Sequence, residues 1–72
     1  MLTAEQVLDH YYLESRCQLL EIAAMLDRYE RAGGSEDNER LGLLYKSLEL
    51  LSDRDAGGNR AEQILNLFTD PE

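Results

Sequence analysis

From Thr3 to Ala32 apolar residues return at every third or fourth position, and neither Gly nor Pro interrupts them. That is the rhythm of a helix that buries a face. Its start is doubly marked: Thr3 as N-cap precedes Gln6 at the capping-box spacing, and Leu2 and Val7 occupy the two hydrophobic-staple positions. The first stop is Gly33-Gly34, preceded by Arg28 and Arg31, where cations suit the negative end of the helix dipole. The pattern predicts helix 1 over about 4–32.

A second periodic run follows Ser35, an N-cap residue type, with Glu36, Asp37 and Glu39 in its first turn and Leu41, Leu44, Tyr45, Leu48 and Leu51 as its apolar set. It predicts helix 2 over about 36–52. Asp53 to Gly58 shows no periodicity and reads as a loop. Asn59 then stands as an N-cap with Glu62 three residues on, and Ala61, Ile64, Leu65 and Phe68 form one short face. Helix 3 is predicted over about 60–68, stopping before Pro71. Fourteen leucines against five Val, Ile and Thr together leave few strand formers. The fold class expected is all-α, a single helical domain over 1–72 in which three helices form a hairpin or small bundle.

Helix 1 is long for such a chain. At roughly 1.5 Å per residue it extends about 43 Å, beyond the roughly 29 Å diameter of a compact globule of this size. Helix 2, antiparallel after the Gly33-Gly34 turn, is therefore expected to cover the C-terminal half of helix 1, and helix 3 to cover its N-terminal half or to turn back beside helix 2. Steps of about 100° per residue set Val7, Leu8, Tyr11, Ile22, Met25, Leu26 and Tyr29 on one broad face, with Tyr12 and Leu19 at its margin. This face is expected to be the chain's own core. On the opposite side Leu13, Cys17, Leu20 and Ala24 recur at spacings of four, three and four, a second and narrower apolar stripe. Leu43 and Leu50 repeat the feature weakly on helix 2.

The narrow stripe is expected to pair with a second copy, completing a homodimeric helical bundle. Glu14 and Arg28 on one edge, and Arg16 and Asp27 on the other, are expected at that interface. In an antiparallel pair centred near Glu21 they would meet as opposite charges; a centre between Gln18 and Leu19 would set Glu14 against Glu21.

Composition narrows the classes of partner. Fifteen Asp and Glu against seven Lys and Arg give a net charge of −8, the sign carried by phosphates and anionic headgroups, so neither nucleic acid nor membrane is an expected partner. With 43% hydrophobic residues the chain is too apolar for a disordered acidic tail. A core this small supplies only about 3 to 5 kcal/mol unaided, which also favours assembly. One cysteine cannot close an intramolecular disulfide, and the first residues lack the basic and apolar stretches of a secretory signal. A cytoplasmic location is expected.

Candidate chemistry is sparse. His10, Glu14, Cys17 and Glu21 share one edge of helix 1 and are metal-ligand types. His10 and Glu14 could share an ion, but Glu21 lies about 10.5 Å further along the axis. A metal site of His10, Glu14 and Glu21 would need a second copy, and this metal-binding bundle is the alternative reading. Cys17 and His10 are too far apart on one helix for a nucleophile and its base. Asp53, Asp55 and Asn59 resemble the start of a calcium loop, but Gly57 and Ile64 stand where ligands are needed. Neither glycine pair has the spacing of a phosphate loop, and the four tyrosines read as packing residues. The expectation is a small acidic interaction or regulatory module, not an enzyme, without cofactor, dimeric and able to bind a protein partner.

Overall fold

The computed structural model describes residues 1–69. All regular structure among them is helical: α1 covers Ala4–Arg31, α2 Glu39–Ser52 and α3 Arg60–Phe68. The chain divides into two units, Met1–Gly34 and Ser35–Glu72, the first built on α1 and the second on α2 and α3. None of the three helices is long and apolar enough to cross a membrane.

Both ends of α1 are closed by local hydrogen bonds. The Thr3 hydroxyl accepts from the Gln6 backbone N–H at 3.1 Å, and the Gln6 side-chain oxygen accepts from the Thr3 N–H at 2.9 Å. Two of the amides that a helix start leaves unpaired are thus satisfied reciprocally. Leu2 and Val7 stay exposed, so the polar half of the expected start signal forms without a buried staple. At the other end Gly33 N–H donates to the Glu30 carbonyl and Gly34 N–H to the Tyr29 carbonyl, both at 3.0 Å. This is a Schellman closure, and Gly33 at φ +79° supplies the left-handed residue it requires. The Tyr29 ring fills the space that a Cβ on Gly34 would take.

α2 starts at Glu39, later than its periodicity predicts. Ser35 does not cap it: the Ser35 hydroxyl accepts from Asp37 N–H at 3.0 Å and closes a turn. The cap is Asn38, whose side-chain oxygen accepts from both Arg40 and Leu41 N–H at 2.9 and 3.1 Å. Glu36 and Asp37 therefore precede the helix, and only Glu39 remains in its first turn. Ser35 and Asn38 are both good caps three residues apart, and the one that satisfies two orphan amides prevails.

α2 and α3 pack on each other, so helix 3 takes the expected alternative beside helix 2. Their faces differ from those expected. On α2 the one fully buried residue among those described is Ser47, with Leu43, Leu44, Leu48 and Leu50 half-buried around it, while Tyr45 and Leu51 remain exposed. A serine can be buried there because its hydroxyl donates to the Leu43 carbonyl at 2.8 Å, and its small size lets a neighbouring helix approach. On α3 the half-buried residues are Arg60, Gln63, Ile64 and Leu67, whereas Ala61, Leu65 and Phe68 face outward.

The connecting loop explains that rotation. The Asp53 carbonyl accepts from Ala56 N–H at 3.2 Å and from the Arg60 guanidinium at 2.6 Å, while the Asp53 carboxylate accepts from Asp55 N–H at 2.9 Å. Gly57 and Gly58, at φ +86° and +91°, turn the chain between them. Arg60 is thereby held against the end of α2, where a cation also suits the helix dipole, and residues one turn and two turns beyond it follow inward. Asn59 precedes α3 but its side chain makes no capping bond; it accepts from the Gln63 side chain instead.

Candidate functional site: the apolar surface of α1

The four stripe residues stand on a helix uninterrupted from Ala4 to Arg31, so their four-three-four spacing places them in one line. Leu13 is 70% exposed and Leu20 57%. Cys17 is an exposed free thiol, and Ala24 is half-buried. The flanking Glu14, Arg16, Asp27 and Arg28 are all exposed. All eight residues lie on α1.

The broad face differs from its expected role. No residue of α1 is buried. Val7, Leu8, Tyr11, Tyr12, Leu19 and Met25 are exposed, and only Ile22, Leu26 and Tyr29, towards the C-terminal end, are half-buried. Within the α1 unit taken by itself, that face is exposed over its N-terminal half.

One geometric feature was not legible as a site in the sequence. Tyr12, Ser15, Arg16 and Leu19, with Leu20 beside them, surround a shallow, mainly apolar hollow. Their spacing is i, i+3, i+4, i+7, the diamond of four side chains that receives one knob from a facing helix in a coiled coil. Ser15 is the small member that opens it. The i+3/i+4 spacing was the available signal, but a serine reads as a polar interruption unless the whole diamond is drawn.

The metal candidates do not converge. The His10 ring lies edge-on to Tyr11, with centroids 4.8 Å apart at 85°, and Glu14 and Glu21 are both exposed. Among the described residues no group of three or more His, Cys, Asp or Glu side chains is placed to hold a metal ion. The hairpin carries an open groove edged by Lys46, Glu49, Asp53, Gln63 and Asn66, in which charges of both signs are interspersed.

Among the described residues the fold is all-helical, with three helices, the longest of which carries two apolar faces. No protein-family model, no curated protein and no solved structure matches the chain.

Proposed function

We propose that this chain is a small, non-catalytic protein-interaction or regulatory module whose working surface is α1, and that it self-associates through the narrow stripe. The observation that carries the reading is that a 28-residue helix buries none of its residues while exposing Leu13 and Leu20 in one line with Cys17 and Ala24. A run of exposed apolar side chains at heptad spacing marks an association surface, whereas scattered leucines do not. A helix presenting such a face is read by a partner as anchors at i, i+3, i+4 and i+7. The net charge of −8 favours protein over nucleic acid or anionic lipid as that partner. The single cysteine suits a reducing compartment such as the cytoplasm.

Two matched variants test the reading. Leu20→Asp places a charge on the stripe, and Leu51→Asp places one on a comparably exposed leucine of α2. Light scattering should show the mass lowered by Leu20→Asp and unchanged by Leu51→Asp. Equal masses for both variants and the wild type would refute the stripe as the association surface.

A further inference from the structure

We propose that the second copy lies antiparallel on the narrow stripe, with the two-fold axis passing beside Glu21; this rests on the self-association proposed above and adds its direction and register. Size along the stripe gives the first argument. The four-three rhythm continues past Ala24 to Asp27 and Arg31, and α1 is unbroken to Arg31, so these charges lie on the same line as the leucines. A parallel pair sets every such residue against its own copy, Asp27 on Asp27 and Arg31 on Arg31. An antiparallel pair sets bulky Leu20 beside the small Ala24 of the second copy. It also brings Arg31 towards Leu13, which the arginine stem can cover while its head stays in water.

Charge along the edges gives the second argument. With the axis beside Glu21, Glu14 faces Arg28 and Arg16 faces Asp27, and each pair occurs twice by symmetry. All four side chains are exposed and free to reach across. In a parallel pair the edges meet at an offset of about five residues. Arg16 then gains Glu21, but Asp9 meets Glu14, so attraction and repulsion cancel. The antiparallel register also sets Asp27 beside Cys17 of the second copy, and it has one like-charge cost: Glu21 meets its own copy at the axis.

That cost gives a test whose sign depends on direction. Dissociation constants measured by sedimentation at low salt should fall about two- to fivefold for Glu21→Gln, because a like-charge contact is removed. In a parallel pair the same change removes the partner of Arg16 and weakens association. Glu14→Lys and Arg28→Glu should each weaken the dimer about tenfold, and the doubly changed chain should return to within about twofold of the wild type. In a parallel pair residues 14 and 28 never meet, so no such recovery occurs, and Glu14→Lys strengthens pairing through Asp9. Circular dichroism confirms that each variant keeps its helices. Mild oxidation is an independent readout. The two Cys17 residues lie about 12 Å apart along the axis in this register, beyond the roughly 7 Å between Cα atoms that a disulfide allows, so little cross-link should form. Weakening by Glu21→Gln together with rapid cross-linking through Cys17 would overturn the antiparallel direction. A stable dimer indifferent to every charge change would overturn the register and leave self-association standing. A wild type that is monomeric throughout would overturn both.

Discussion

Asn38 does for α2 what Thr3 does for α1: a side-chain oxygen takes amides that the first turn leaves unpaired. Asn38→Ala should therefore lower the unfolding free energy by about 1 kcal/mol, and Ser35→Ala, which removes no capping bond of α2, by less. Urea denaturation of the two variants beside the wild type measures the difference; the reverse order would restore Ser35 as the cap. Two glycines of opposite character make a second pair. Gly33 sits at φ +79°, so Gly33→Ala should cost about 1 to 2 kcal/mol. Gly42 lies inside α2, with open space where a Cβ would stand. Gly42→Ala should stabilise by up to about 1 kcal/mol in the same denaturation experiment. Capping and stop signals were the most legible part of the chain: Thr3, Gln6 and Gly33 act as their residue types dictate. The choice between Ser35 and Asn38 was not legible, since it depends on which oxygen reaches two amides at once.

The ends of α1 followed from residue types, but the start of α2 and the faces of α2 and α3 did not. The hydrophobic pattern of α2 put Tyr45 and Leu51 inside and gave Ser47 no role, whereas Ser47 is buried and those two are exposed. A face is chosen by close approach as well as by hydrophobicity, and a serine bonded to its own helix at Leu43 behaves as a small residue. Ser47→Ala should consequently be nearly neutral in stability, while Ser47→Val should overpack the contact and cost about 1 to 3 kcal/mol. Equal thermal denaturation midpoints for the two variants would show that Ser47 is not where the helices approach. The α3 face was hidden for a different reason. It is set by the Arg60 guanidinium on the Asp53 carbonyl, a bond between loop ends that periodicity does not encode. The α1 stripe was legible because it depends only on spacing along one straight helix.

At the scale of the whole molecule, the α1 unit and the α2–α3 unit, each taken by itself, bury few apolar side chains. Hydrophobic residues make up 43% of the sequence, yet Ser47 is the only described residue that is fully buried. Chains of this size commonly complete their core by assembly, and the self-association proposed above would do so through α1. A net charge of −8 per chain would oppose such assembly by self-repulsion, so the proposed contacts combine apolar burial with paired charges. Folding and association should then be linked, with stability rising as protein concentration rises. Sedimentation equilibrium of the wild-type chain over a dilution series tests this most directly. The expected result is a mass of twice the 8.2 kDa chain at high concentration, falling towards the single-chain value on dilution, with the melting temperature falling alongside it. A mass of one chain at every concentration, with a melting temperature that does not move, would contradict it.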